Sequence, residues 1–467
     1  MLCRNTPWAR KGRFQALFLA YFVQFYLTKS ARYPMSKTLA PTRNPGRHLF
    51  ATIVGILILL FPAAALVVPR GGNTVMFLIT ACGAIALFQS RKCGKSRPCT
   101  RDRVPFGLFI ASLALPVIAV LIVELLHRNV VANTLDSPVR FLVALLVFLG
   151  LRHIATTIPK WIDLTFGLGA ISAAVMALYS TAETLSTRAE STFLNPIHFG
   201  DIALLLGVLS IVAIHWFRRD RFWIVAFKLL GGTAGCYASW ASQSRGGWVA
   251  LPVLIVVWFL YKPHADNMKR RAAIAGVAVL LIASTFLSAT VRERFDAISS
   301  DLTLLRAGQA DTSVGIRLEL WKAAVKLIRE HPLTGLGAHG YRDAMPTMAA
   351  SGDLTPVAAD YGKGEVHNQI LAYFTDYGLL GLLAILGVYV GPAYFFIRVG
   401  AIQTERREQR AALMGLITAL SFAVFGLTVE TFNLKVTVAF YATMLALLAA
   451  LAYPDKPTGT AVAAERS

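Results

Sequence analysis

Long apolar blocks constrain this chain more than any other feature of its sequence. They run for roughly 17 to 24 residues, the length of helix that crosses a hydrocarbon layer about 30 Å thick. Composition agrees, because 56% of the 467 residues are hydrophobic and only 15% are charged. A soluble domain carries charge on about a quarter of its residues. The sequence therefore predicts an all-α polytopic membrane protein.

The blocks divide into about twelve predicted transmembrane helices. The fourth is short for a single crossing and the tenth is long. The predicted spans lie near 49–68, 73–90, 104–127, 139–151, 161–182, 198–217, 222–240, 247–261, 272–290, 367–397, 411–429 and 433–452.

The basic residues orient these spans across the lipid bilayer. The net charge of +21 lies mostly in short loops between apolar blocks, a pattern of membrane topology rather than of nucleic-acid binding. With the N-terminus in the cytoplasm, thirty Lys and Arg residues fall on the cytoplasmic side and six in the short external loops. We therefore predict a cytoplasmic N-terminus and no nucleic-acid partner.

A long hydrophilic segment between the ninth and tenth spans falls on the external side. Loops of this length usually carry function, and we expect a mostly helical loop domain. The predicted organisation is a basic cytoplasmic segment 1–48, transmembrane helices 1–9 over 49–290, the loop domain 291–366, transmembrane helices 10–12 over 367–452 and a cytoplasmic tail 453–467.

The first external cluster is Ser-Arg-Gly-Gly-Trp at 244–248, at the outer start of the eighth predicted span. Glycines allow close approach of a backbone, and the free N–H groups of a helix start favour an anion. Arg245 adds a bidentate donor suited to phosphate. In the alternative interpretation, Arg245 is an interfacial arginine that reaches the lipid headgroups beside an aromatic belt.

The second cluster lies in the predicted loop domain, on a helix over 314–330. Arg317 shares the apolar stripe of this helix with Trp321 and Ala324 rather than its charged face. A buried arginine is costly unless it is paired with an anion, which is either a bound substrate or a structural Asp or Glu. The following Pro-Leu-Thr-Gly-Leu-Gly at 332–337 predicts a helix stop and a tight turn.

The third cluster is His367-Asn368-Gln369, which opens the tenth predicted span. Gly378 lies about three helical turns further on, so it is predicted to share the face of His367 and, with Gly381, to let a neighbouring helix approach. A histidine at this position can act as a general base near neutral pH. The alternative is an interfacial histidine that hydrogen bonds to a loop carbonyl.

Other common signals of chemistry are absent from the sequence. The external carboxylates show no paired spacing, and the five cysteines show no metal-ligand spacing. The chain has no nucleotide-binding glycine loop. We therefore predict no metal site and no cofactor, which disfavours a cytoplasmic glycosyltransferase that uses sugar nucleotides.

The three clusters together resemble the O-antigen ligase/polymerase superfamily. The resemblance covers roughly 195–385 and rests on the order, spacing and common membrane side of Ser-Arg-Gly-Gly-Trp, Arg317 with the turn at 332–337, and His-Asn with Gly-x-x-Gly at 378–381. It implies twelve helices with one large periplasmic loop between the ninth and tenth. It also implies a multi-pass protein of the bacterial inner membrane whose active site faces the periplasm.

The resemblance further implies an enzyme of lipopolysaccharide biosynthesis. An O-antigen ligase transfers a glycan from undecaprenyl diphosphate to a hydroxyl of lipid A–core, in a metal-independent and inverting reaction. Arg245 and Arg317 would then hold the diphosphate, and His367 would deprotonate or orient the acceptor hydroxyl.

Three alternative functions stay open at this stage. Two belong to the same superfamily: an O-antigen polymerase and a protein O-oligosaccharyltransferase. The third is a transporter of lipid-linked glycan. Transporters usually place ionisable residues mid-membrane and often show two related halves. Here Glu124, Lys228 and Glu430 lie near span ends or loops, and the large loop is unpaired.

Overall fold

The computed structural model describes residues 45–92, 106–184, 188–244, 246–260, 276 and 311–455. The regular structure of these residues is helical, with no strand among them. The α-helices are α1 (Pro45–Val67), α2 (Gly71–Lys92), α3 (Phe106–Leu126), α4 (Ala132–Ile154), α5 (Thr165–Thr184), α6 (Pro196–Val212), α7 (Phe222–Ala241), α8 (Ala250–Leu260), α9 (Ser313–Glu330), α10 (Gly340–Ala350), α11 (Pro356–Gly362), α12 (Gln369–Ile402), α13 (Arg406–Phe425) and α14 (Lys435–Ala452).

Seven helical segments of the described chain are long and apolar enough to cross a membrane. They comprise α1 to α4, α5 together with the 3₁₀ turn before it, α12 and α14. The all-α polytopic character is therefore confirmed. Helix α6 has only 17 residues, and the predicted ninth span at 272–290 lies outside the described residues apart from residue 276. The count of about twelve stays a prediction.

Two predicted boundaries move for identifiable reasons. The fourth span, predicted at 139–151, belongs to a helix that begins at Ala132. Its early turns contain Arg140 and Asp136, which pair with each other at 3.0 Å, so polar residues extend the helix beyond its apolar block. The tenth span, predicted at 367–397, corresponds to α12. This helix begins at Gln369, because the Asn368 side chain caps it.

The chain divides into two compact units. The first comprises Met1–Cys82 and Thr156–Gln243, and the second comprises Gly83–Ala155 and Ser244–Ser467. In the first unit, α6 and α7 pack backbone to backbone. A Cβ added to Gly235 would lie 2.5 Å from the carbonyl oxygen of Ala203 and 2.7 Å from the Cα of Gly207. Small residues permit this approach, as in many membrane helix pairs.

A buried ion cluster ties three segments of the first unit together. The Nζ atom of Lys228 lies 2.6 Å from Asp163 Oδ2 and 2.8 Å from Asp220 Oδ2. It also donates to the carbonyl of Ala213 at 2.8 Å. The Lys228 side chain is fully buried. Each of its three ammonium protons therefore has an acceptor, which identifies this lysine as a structural group.

The second unit packs α3, α4, α12, α13 and α14 around an aromatic core. Helix α14 is almost completely enclosed, with 94% of its residues buried. The Phe422 ring lies 4.6 Å from Tyr441 and 6.1 Å from Phe432, measured between centroids. These aromatic contacts hold the loop between α13 and α14 against the helices.

Polar contacts join the helices of the second unit at both of their ends. At one end, Arg152 pairs with Asp455 at 2.6 Å, and Arg407 donates to a carbonyl just after α4. At the other end, Lys435 pairs with Asp136. The first set of contacts joins Arg152, Arg407 and Asp455, which the predicted spans place on one side of the membrane. The contacts are therefore compatible with the predicted order of the spans.

Candidate active site

His367 lies between α11 and α12 in a left-handed backbone conformation, with φ of +59°. Its Nδ1 atom lies 3.1 Å from Oε1 of Glu365, and each of the two side chains is 17% exposed. Asn368 follows and accepts hydrogen bonds from the amides of Ile370 and Leu371, at 3.0 and 3.1 Å. The histidine is therefore fixed at the mouth of α12, as predicted, but with a carboxylate as its neighbour.

The α13–α14 loop, residues 426–434, holds the histidine segment, residues 365–369. The amide of Val366 donates to the Glu430 carboxylate. The side-chain amide of Asn368 donates to the Leu427 carbonyl at 3.3 Å. Because one contact precedes His367 and the other follows it, the loop constrains the backbone on both sides of the imidazole.

Gln369 adds two further hydrogen bonds between the histidine segment and the α13–α14 loop. Its amide donates to the Gly426 carbonyl at 2.8 Å. Its side-chain oxygen accepts from the amide of Phe432 at 2.6 Å. Gln369 is buried, so these bonds are shielded from water and set the position of the α12 start.

The Ser-Arg-Gly-Gly-Trp segment reaches the same loop. A Cβ added to Gly246 would lie 2.2 Å from Oγ1 of Thr428. Only glycine fits this contact, because any side chain would displace the threonine. Arg245 itself lies outside the described residues. Its neighbour in sequence nevertheless contacts the loop that holds His367, so the first and third motifs converge on the α13–α14 loop.

Arg317 is half-buried on α9, on the side of the helix that carries Trp321. Helix α9 packs through Leu320 into a cluster that contains Val366 and Ala372, one on each side of His367 in sequence. Among the described residues, no carboxylate forms an ion pair with the Arg317 guanidinium. The structural ion pair considered in the sequence is therefore not found in this part of the chain.

Sequence reasoning missed an interruption of α12 at Gly378, where φ is +58° and ψ is −150°. The Pro-Leu-Thr-Gly-Leu-Gly turn fills it. The amide of Leu379 donates to the Pro332 carbonyl at 3.0 Å, and two amides of the turn donate to the carbonyls of Thr375 and Asp376, at 3.0 and 2.8 Å. Backbone groups freed by the break are therefore satisfied by the turn.

One glycine of the turn and one glycine of α12 each lie against the backbone of the other segment. A Cβ on Gly335 would lie 2.5 Å from the Asp376 carbonyl oxygen, and one on Gly378 would lie 2.3 Å from the Leu333 carbonyl oxygen. The prediction that Gly378 continues the helical face of His367 is wrong, because the helix breaks there. Gly378 leaves room for the turn at 332–337 rather than for a neighbouring helix.

Carboxylates near the histidine segment were also not assigned from the sequence. Burial raises the pKa of Glu430 well above its usual range, and the charge of Glu365 raises that pKa further. Asp376 accepts from the amide of Tyr341 at 2.8 Å. Both carboxylates therefore bind backbone amides. The available signal was the occurrence of acidic residues in otherwise apolar stretches.

No group of three His, Cys, Asp or Glu residues arranged to hold a metal ion occurs within the described ranges. The described residues instead offer an imidazole with a neighbouring carboxylate and, on α9, a half-buried guanidinium. An imidazole can accept a proton and a guanidinium can bind an anion, so the arrangement suits transfer of a group from an anionic leaving group.

Comparison with known proteins relates part of the chain to one family. The family model described as O-Antigen ligase matches residues 234–386, a range that contains Arg245, Arg317 and His367. The O-antigen ligase of Escherichia coli strain K12 is 20% identical over 200 residues, which cover 43% of this chain and 47% of that protein. These similarities support the O-antigen ligase superfamily for this chain.

The family match agrees with the fold. The seven apolar helices and the match to this family together indicate a multi-pass membrane protein with a role in polysaccharide biosynthesis. A longer similarity extends to an uncharacterized protein of Haemophilus influenzae, which is 26% identical over 399 residues. That alignment covers 83% of this chain and 94% of the relative, so the similarity includes most of the helices outside the matched family range.

Proposed function

We propose that this protein is an O-antigen ligase that transfers a glycan from undecaprenyl diphosphate to a sugar hydroxyl of lipid A–core. The reaction takes place on the periplasmic face of the bacterial inner membrane, in lipopolysaccharide biosynthesis. The observation that carries the proposal is the convergence of two motif segments on the α13–α14 loop, through Gly246 with Thr428 and Val366 with Glu430.

The proposed chemistry is an inverting displacement. His367 takes the proton of the acceptor hydroxyl as the hydroxyl oxygen attacks the anomeric carbon. The bond from that carbon to the diphosphate breaks, and the electron pair leaves with the phosphate oxygen. Arg245 and Arg317 neutralise the charge that grows on this leaving group. Because the donor is already activated, the reaction needs neither nucleotide nor metal.

The positions of the ionisable residues support an enzyme rather than a transporter. Glu124 accepts from the amide of Val131 at 2.9 Å and from the Thr134 hydroxyl, so it caps α4. Lys228 is enclosed by its three acceptors, and Glu430 binds a backbone amide. These groups are held by the fold, whereas a relay for transport requires groups that exchange partners.

An acceptor assay with purified protein tests the function. Undecaprenyl-diphosphate glycan is supplied with lipid A–core, with a second lipid-linked glycan, or with a pilin peptide. Glycosylation of lipid A–core supports the ligase. Transfer only to the second donor identifies a polymerase, and transfer only to the peptide identifies a protein glycosyltransferase. Transfer in excess chelator is expected to be unchanged, and loss of transfer restored by one divalent ion would contradict the metal-free reaction.

Cysteine labelling tests the proposed sidedness. In a variant without the five natural cysteines, Glu190→Cys and Ala350→Cys are expected to react with a membrane-impermeant thiol reagent in cells whose outer membrane is permeable. Arg219→Cys and Glu405→Cys are expected to react only after lysis. All four positions are exposed on the chain. The reverse pattern would place the site in the cytoplasm and refute the proposed reaction on the periplasmic face.

A further inference from the structure

Glu365 lies beside the proposed base, two residues before it in the chain. Its Oε1 atom is 3.1 Å from Nδ1 of His367, and both side chains are largely enclosed. The contact is at ion-pair distance without the alignment of a hydrogen bond; catalytic contacts of this kind often align only when substrate binds. We propose that Glu365 is the positioning residue of His367, an inference that rests on the proposed function.

The backbone on either side of the imidazole maintains this contact. Val366, between the two residues, is 1% exposed and packs in the cluster formed by α9, α10 and α11. Its amide is held by Glu430, and Asn368 is bonded to the α13–α14 loop. His367 keeps a left-handed conformation, with φ of +59°. Such strain in a non-glycine residue persists only where its surroundings hold it, and it is common at functional sites.

Glu365 and Glu430 have different partners, and this difference supports the positioning role of Glu365. Burial and the charge of Glu365 raise the pKa of Glu430 well above its usual range. Burial therefore disfavours the charged form of Glu430, whose carboxyl group accepts the hydrogen bond of the Val366 amide. The carboxylate that contacts the imidazole is that of Glu365. A carboxylate at one ring nitrogen determines which nitrogen carries the proton and leaves the other as the acceptor.

The proton then has a defined route. Nδ1–H of His367 faces Glu365, and the Nε2 lone pair takes the proton of the attacking hydroxyl. The new bond forms between the hydroxyl oxygen and the anomeric carbon, while the bond to the diphosphate breaks. The ring becomes an imidazolium, whose charge Glu365 stabilises until Nε2 releases the proton to the departing phosphate or to water. Glu365 keeps its own charge throughout.

The full-length protein with ¹⁵N-labelled histidine gives a readout that does not depend on activity. The chain has nine histidines, and the His367 signals are identified by their loss in His367→Gln. In the wild-type protein, we expect the proton on Nδ1. In Glu365→Ala, we expect the tautomer to change toward Nε2–H. Glu330→Ala, an exposed carboxylate on α9, is the control and is expected to leave the spectrum unchanged.

Transfer kinetics complete the test. Glu365→Ala is expected to lower kcat roughly 10- to 10⁴-fold with donor binding and the thermal unfolding midpoint unchanged, and Glu365→Asp is expected to restore part of kcat. An unchanged tautomer with kcat within twofold of wild type would overturn the inference. If His367→Ala abolishes transfer while Glu365→Ala does not, the inference fails and the proposed function stands. If the wild-type protein transfers to no acceptor, the proposed function fails, and the tautomer still decides whether Glu365 orients the ring.

Discussion

Ionisable side chains that are fully or partly withdrawn from solvent occur in both units of the chain, but their partners differ. In the first unit, Lys228 is enclosed with Asp163, Asp220 and a carbonyl, and each of its protons is accepted. In the second unit, the Arg317 guanidinium has no ion pair among the described residues. His367 has a carboxylate at its Nδ1 atom, and no ion pair at Nε2 occurs in the part of the chain that the structure describes.

This difference in partners distinguishes a residue that stabilises the fold, Lys228, from residues proposed to act on a substrate, Arg317 and His367. A buried cation that is fully enclosed by acceptors has no capacity left for a ligand, and removing it leaves its partners uncompensated. A guanidinium that has no counter-ion among the described residues and an imidazole whose Nε2 atom can accept a proton can each bind or act on a substrate. The comparison therefore predicts that substitutions in the two regions affect stability and transfer in opposite proportions.

The largest effect on transfer is expected from His367→Ala. Loss of a general base lowers kcat by about 10²- to 10⁴-fold, while donor binding is expected to be retained. Unfolding in SDS titrations is expected to be unchanged, because the histidine lies at a helix mouth. His331→Ala, an exposed histidine at the end of α9, is the matched control and should transfer normally. Ordinary transfer by His367→Ala would show that the histidine is only interfacial.

The largest effect on stability is expected from Lys228→Met. It leaves two buried aspartates without their cation, which costs about 3–5 kcal/mol in the free energy of unfolding. The kcat of the remaining folded protein is expected to be unchanged. The triple variant Lys228→Met with Asp163→Asn and Asp220→Asn should recover part of the lost stability. If Lys228→Met alone is as stable as the wild type, the structural role of Lys228 is refuted.

Gly378→Ala is expected to affect both quantities. Its left-handed backbone and the Leu333 carbonyl oxygen, 2.3 Å from an added Cβ, disfavour any side chain. Strain alone costs about 1–3 kcal/mol, and displacement of the turn should also lower transfer. Gly387→Ala on the same helix is the control, because its nearest atom would lie at an ordinary 3.6 Å. Equal behaviour of the two variants would contradict the fit between turn and helix.

The smallest effect is expected from Arg317→Lys. A point charge replaces a bidentate donor, so the loss of one charge-assisted hydrogen bond of ~1.5 kcal/mol should weaken donor binding roughly tenfold. Arg245→Lys is expected to act in the same way. Arg329→Lys, at an exposed position of the same helix as Arg317, should bind donor normally. Unchanged donor binding and transfer in Arg317→Lys and Arg245→Lys would refute the diphosphate role.

The helical membrane character of the chain and the order of its motifs are local properties, and the sequence alone determined them. An apolar block long enough to cross a bilayer has no other stable structure in lipid than a helix or a closed barrel. The turn at 332–337 was also predictable, since its Pro and Gly residues restrict or release the backbone locally. The Asn368 cap could likewise be expected from residue type.

Only the tertiary structure decided which residues meet. The contact of Val366 with Glu430 joins positions 64 apart in sequence, and that of Gln369 with Phe432 joins positions 63 apart. The break at Gly378 is equally non-local: the local sequence favours a continuous apolar helix, and the freed backbone groups are satisfied only by a turn more than forty residues earlier. Glu365 looked like one external carboxylate among several, until the left-handed turn at His367 brought the imidazole against it. Helix periodicity describes neighbours within a few residues, whereas these contacts depend on how separate segments pack.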